Sequence, residues 1–134
     1  MNELNKCISL IIYLLYILVI YHVIENLNLL TFFIFVIIVP SLLFAFSSKF
    51  FMLNSWNKNL YSCISAAIYC LSTYIIMSLA ISDTVVYEII QNTNKLIEHN
   101  KDIIIDNISF NFNISSFMMI FFLEFILIRF FVRR

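Results

Sequence analysis

Residue types that many enzymes need are missing or scarce in this sequence. Glycine is absent and proline occurs once among 134 residues, so no glycine-rich loop can cradle a phosphate group. Histidine occurs twice, and the sequence shows no HExxH motif and no Ser-His-Asp or Cys-His set. The three cysteines, Cys7, Cys63 and Cys70, have no zinc-ligand spacing and fit small packing residues better. We therefore predict a protein that is not an enzyme and holds no cofactor or metal.

Charge is also scarce. Charged residues make up 12% of the chain, against roughly 25% in typical soluble domains, and they balance to a net charge of zero. Hydrophobic residues make up 63%, and the mean hydropathy is +0.98. A soluble domain of this composition would expose most of its apolar surface to water, which argues against that class. The few cations form no basic patch, so we expect no nucleic-acid partner.

Four long apolar stretches are what the sequence does contain. They cover residues 8–24, 29–46, 60–81 and 114–132, and the charged residues gather between them. Each stretch is about as long as a helix that crosses roughly 30 Å of hydrocarbon. The pattern predicts an all-α integral membrane protein, a bundle of four transmembrane helices in a single domain over residues 1–134.

Lysine and arginine positions predict the orientation of the bundle. Lys6 precedes the first stretch, Lys49 and Lys58 follow the second, and Arg133 and Arg134 close the chain. Because cations concentrate on the cytoplasmic side of a membrane, we expect both termini in the cytoplasm and the first and third connectors outside. The first stretch lacks a cleavage site and is predicted to be a retained anchor rather than a signal peptide.

Glu124 is the most unusual residue, because it lies near the middle of the fourth stretch. A charge at that depth costs at least about 2.5 kcal/mol, so we expect the carboxyl to be protonated, hydrogen-bonded or in contact with water. Arg129 lies about 140° around the same helix and is a poor partner. Residues at similar depth in the other stretches are the expected partners: Tyr16, Ser72, Thr73 and Tyr74. A structural anchor is favoured over an ion, proton or gating role.

Three further features bear on packing within the membrane. Pro40 removes a backbone hydrogen bond and predicts a helix kink, more often a fixed shape than a hinge. His22 lies near the outer boundary, where an interfacial position is favoured over proton handling. Small residues in the third stretch stack on one helical face and predict close helix packing: Ser62, Ala66, Ala67 and Cys70.

The third connector, residues 83–113, is the only long exposed loop that the sequence predicts. Apolar residues recur at helical spacing over 83–98, which predicts an amphipathic helix on the outer leaflet or on the bundle. Two short runs of strand-forming residues over 103–112 indicate either a small β-hairpin or an irregular loop. An unpaired hairpin edge would favour a homo-oligomer or binding of a cytoplasmic or membrane protein partner.

The chain resembles small four-span bacterial membrane proteins of immunity and defence. It shares their size, their number of spans and the predicted cytoplasmic termini, and its amino-acid composition is typical of AT-rich genomes. Examples are the immunity proteins against pore-forming colicins and the membrane subunit of the Kiwa antiphage system. The resemblance implies an inner-membrane sensor or protector. Two other functions stay open: an oligomeric channel or holin-like pore, and an accessory subunit of a bacterial or organellar membrane complex.

Overall fold

The structure of the chain, a computed structural model, describes residues 3–52, 56–97, 104–106, 108 and 113–132. Within these residues all regular structure is helical, and four helices are long and apolar enough to cross a membrane. The predicted all-helical fold with four such helices is confirmed. The elements are α1 (Glu3–Val23), a 3-10 turn (Ile24–Asn26), α2 (Leu29–Phe32), a π-helix (Phe33–Ile38), α3 (Val39–Ser48), α4 (Lys58–Ala80), α5 (Asp83–Ile97) and α6 (Ile114–Phe131). We call the continuous unit Leu29–Ser48 the second span.

The spans run antiparallel in sequence order. Helix α6 packs against both α4 and α3, while α1 packs mainly against α3. At one end of the bundle the Tyr61 hydroxyl of α4 donates to the Ser48 carbonyl at the end of α3, at 2.5 Å. The rings of Phe46 and Phe131 meet at the same end, with centroids 5.8 Å apart. The start of α4 and the ends of α3 and α6 therefore lie together.

Asparagine side chains begin three of the helices. Asn28 accepts from the backbone N–H of Thr31, which returns a side-chain bond to complete a capping box before α2. Asn57 caps α4 by accepting from the Asn59 N–H, and Asn113 caps α6 by accepting from the Ser116 N–H. In a chain without glycine, no described residue takes a positive φ, so the described helix ends do without left-handed caps.

The amphipathic helix α5 lies on the bundle. Its apolar face buries Val85 and Ile89 beside the 3-10 turn and the second span. Two polar residues of α5 form hydrogen bonds with the segment from the 3-10 turn to the start of the second span. Asn92 donates to the Glu25 carbonyl at 3.0 Å, and the Leu29 N–H donates to the Thr93 hydroxyl at 2.8 Å. These bonds hold α5 against the bundle. They also define an α5 end of the bundle, opposite the end where Ser48 meets Tyr61.

The hairpin predicted over 103–112 lies mostly outside the described residues, and those described there, 104–106 and 108, form no strand. Ile105 is instead tied back to α5 by a two-way contact with Asn94. The Asn94 amide donates to the Ile105 carbonyl at 2.9 Å, and the Ile105 N–H donates to the Asn94 side-chain oxygen at 3.1 Å. This part of the connector is anchored by a side chain rather than by strand pairing.

The small residues of α4 face the interior. Ser62, Ala66 and Cys70 are fully buried, and Ala67 is half-buried. Their short side chains let α4 and α6 approach closely, and these two helices share the most extensive contact in the bundle. The outward faces carry large apolar side chains such as Leu18 and Phe122, as expected of surfaces that meet lipid.

Candidate functional site in the bundle core

Glu124 points into the bundle. Its side chain is fully buried on α6, and the Ser41 hydroxyl of α3 donates to its Oε2 at 2.5 Å. Ser41 is itself 2% exposed, so the pair is shielded from lipid. The other carboxyl oxygen, Oε1, has no hydrogen-bond partner within the described residues. The pair joins α3 to α6 in the middle of the bundle.

The second span changes its hydrogen-bond register just before Ser41. The Val39 N–H donates to the carbonyl of Ile34, five residues back, which is the π-helical pattern. One step further, the residue due to donate to Phe35 is Pro40, which has no N–H. The Phe35 carbonyl accepts instead from the Tyr16 hydroxyl of α1, at 2.7 Å. Tyr16 thus satisfies a carbonyl that Pro40 leaves open, as a polar group in a membrane requires.

Tyrosines of two helices surround the carboxyl. Tyr13 of α1 and Tyr69 of α4 both lie within electrostatic range of Glu124 and of each other. Their rings pack on Phe44, with centroids 5.7 Å and 5.0 Å from it. Tyr13 interacts with Ser72 and Tyr69 with Thr73, while Cys70 also lies near Glu124. We call this set the core polar layer: Tyr13, Tyr16, Ser41, Tyr69, Cys70, Ser72, Thr73 and Glu124.

A cavity of about 40 Å³ adjoins the layer. It lies between α1, the second span and α4, and most of its wall is aliphatic. Its lining residues with polar side chains are four tyrosines and one threonine: Tyr13, Tyr16, Tyr21, Tyr69 and Thr73. Pro40 closes it on the side of the second span.

The partner of Glu124 differs from the one expected. Depth in the membrane pointed to Tyr16, Ser72, Thr73 and Tyr74, but Ser41 makes the hydrogen bond. Tyr16 bonds Phe35, and Ser72 donates to the Tyr69 carbonyl. Ser41, Tyr13 and Tyr69 were missed, although Ser41 directly follows the only proline and Tyr69 is the polar aromatic nearest the middle of α4.

The remaining polar candidates lie away from the core polar layer. Tyr74 is exposed on α4, and His22 is exposed in the last turn of α1. Arg129 is half-buried and makes no ion pair with Glu124 within the described part of the chain. Neither a protein family, nor a curated protein, nor a solved structure matches this chain.

Proposed function

We propose that this chain is a non-enzymatic protein of the bacterial inner membrane that protects the cell from an incoming toxin or phage by sensing or binding it. In this proposal the termini are cytoplasmic, and the connector 83–113 lies outside with α5. The working form is a homo-oligomer that contacts its target through the surfaces of the spans and through α5 with the connector that follows it.

The inward orientation of Glu124 carries the proposal. In an oligomeric pore, polar side chains would line a lumen between subunits and would therefore be exposed on the single subunit. Here Glu124 is 0% exposed and bonded within its own chain. Many large apolar side chains are exposed on the spans, Leu71 and Phe122 among them. This surface suits contacts with lipid and other membrane helices better than a water-filled channel.

Exposed apolar residues on and near α5 are a second observation in favour of the proposal. Tyr87 and Leu96 of α5 and the nearby Ile104 are 63%, 68% and 70% exposed. Hydrogen bonds of Asn92 and Thr93 hold α5 on the bundle, and Asn94 ties Ile105 to α5. Tyr87 and Leu96 lie about 180° apart around α5, so they offer separate apolar contacts to a partner rather than one patch.

A challenge experiment in bacteria tests the proposal. Cells expressing the chain are exposed to pore-forming toxins of the inner membrane and to a panel of phages, and survival is compared with cells expressing Glu124→Leu at equal membrane level. We expect protection by the native chain and reduced protection by the variant. Dye entry and lysis on expression alone would favour the holin-like pore. Stable copurification with respiratory subunits would favour the accessory role.

A further inference from the structure

The starting observation is the unpaired Oε1 of Glu124. Buried polar atoms nearly always have a hydrogen-bond partner, and leaving one without a partner costs about 1–3 kcal/mol. Ser41 satisfies only one of the two carboxyl oxygens. An oxygen in this position calls for water or another small polar molecule, which can accept from a protonated Oε1 or donate to an ionised one, and the described residues supply neither.

The tyrosine-lined cavity is the nearest candidate for such a molecule, although Glu124 itself is not one of its lining residues. On α1 its wall runs from Tyr13 to Ile24, and on α4 from Tyr69 to Ala80. Each segment rises by about 16 Å, which is roughly half of a hydrocarbon core. The wall therefore extends from the depth of Glu124 to the α5 end of the bundle. Two of its innermost residues, Tyr13 and Tyr69, are the same two that lie in electrostatic range of the carboxyl.

Cavity size decides the class of occupant. At about 40 Å³ the space is too small for a quinone ring or a lipid headgroup. A buried water needs about 10–15 Å³ of such volume and two or more polar partners, so the cavity has room for about three water molecules. Four tyrosines and Thr73 are the lining residues whose hydroxyl groups can serve as polar partners.

We infer that this cavity holds water and lets the Glu124 carboxyl exchange its proton with the aqueous phase at the α5 end. The exchange breaks one carboxyl O–H bond and forms another with a proton from water, so the net charge of the core does not change. The neutral form is the one that a site without a cation accommodates, because an unpaired charge in a low dielectric is costly.

The groups that face Glu124 support exchange rather than ion pairing. Helix α3 presents the Ser41 hydroxyl, α4 presents Tyr69 and Cys70, and α1 presents Tyr13. None of these is a cation, and Arg129 on the same helix lies about 140° away. Tyrosine hydroxyls can both donate and accept, so they can pass a proton between water and carboxyl. This inference concerns the core alone and does not depend on the proposed defence role.

Infrared spectroscopy of the protein in lipid bilayers tests the inference. The C=O band of a protonated carboxyl is assigned to Glu124 by its loss in Glu124→Gln, and its shift is followed after transfer to D₂O. We expect the native band to shift within minutes. Filling the cavity with Ile20→Phe, or removing a hydroxyl with Thr73→Val, should slow the shift at least about tenfold.

Val19→Phe is the matched control for Ile20→Phe, because it adds the same ring at the adjacent position on the exposed face of α1. Its exchange rate should equal that of the native protein. The inference is overturned if no protonated band disappears in Glu124→Gln, if the native band stays unshifted for hours, or if all variants exchange at the native rate. Thr73→Val keeps the side-chain volume and covers the case in which Ile20→Phe does not fold.

Discussion

At the scale of single residues, two hydrogen bonds between helices hold the polar groups of the core. Pro40 leaves the Phe35 carbonyl without its backbone donor, and Tyr16 supplies one. Ser41, the next residue, supplies a donor for Glu124. Inside a membrane these bonds replace water, which is why a chain so poor in polar residues places them together.

The Glu124 side chain is expected to act through its acceptor for Ser41. Glu124→Gln keeps a side-chain oxygen in place and should lower the free energy of unfolding by less than about 0.5 kcal/mol. Glu124→Leu leaves the Ser41 hydroxyl without an acceptor and should cost about 1–2 kcal/mol. Unfolding in mixed micelles measures both values. Equal losses for the two variants would count against the hydrogen-bond role.

The effects of mutating Tyr16 and Pro40 on the free energy of unfolding should not be additive. Tyr16→Phe removes the donor to the Phe35 carbonyl and should cost about 1 kcal/mol in the native background. In a Pro40→Ala background the new N–H can complete the helix, so the same change should cost clearly less. A double-mutant cycle of unfolding free energies measures the difference. Strict additivity would show that the Tyr16 hydrogen bond does not compensate for the backbone donor missing at Pro40.

At the scale of elements, hydropathy was enough to predict the four spans, because each is a long apolar run. The rotation of each helix about its own axis, which decides the face that is buried, was not predictable. Apart from Glu124 and the polar residues near its ends, helix α6 is apolar all round, so no stripe indicates which face is buried. Depth alone could not select Ser41 as the partner of Glu124. The π-helix and the docking of α5 also depend on contacts between distant segments, such as Tyr16 with Phe35. The small-residue strip of α4 was predictable because its members recur at helical spacing.

Overpacking this strip should loosen the bundle. Ala66 is fully buried and Ala67 is half-buried. Ala66→Leu should therefore lower the free energy of unfolding by about 1–3 kcal/mol, and Ala67→Leu should lower it by less. Ile68→Leu, on the exposed face of the same helix, is the control and should be neutral. Size-exclusion profiles and thermal unfolding in detergent give the readout. An Ala66→Leu protein of native size and stability would contradict the packing role of the strip.

At the scale of the whole molecule, the antiparallel order of the spans places the start of α1 and the end of α6 on the side away from α5. The lysines at positions 49 and 58 lie on that side too, next to the ends of α3 and α4. Reporter fusions at the carboxyl terminus should therefore be active in the cytoplasm, and fusions within 83–113 should be active outside. A carboxyl-terminal fusion that is active outside would refute the proposed orientation.

The central claim is that each copy of the protein keeps Glu124 inside its own bundle, against its own Ser41. Solid-state NMR in lipid bilayers tests it directly, with labelled protein diluted in unlabelled copies so that only contacts within one chain are seen. The hydrogen bond predicts a cross-peak between the Glu124 carboxyl carbon and the Ser41 Cβ, which lie within about 5 Å. A cross-peak that persists on dilution is the expected result. Its disappearance on dilution, or a contact of Glu124 with a second copy or with channel water instead, would contradict the account.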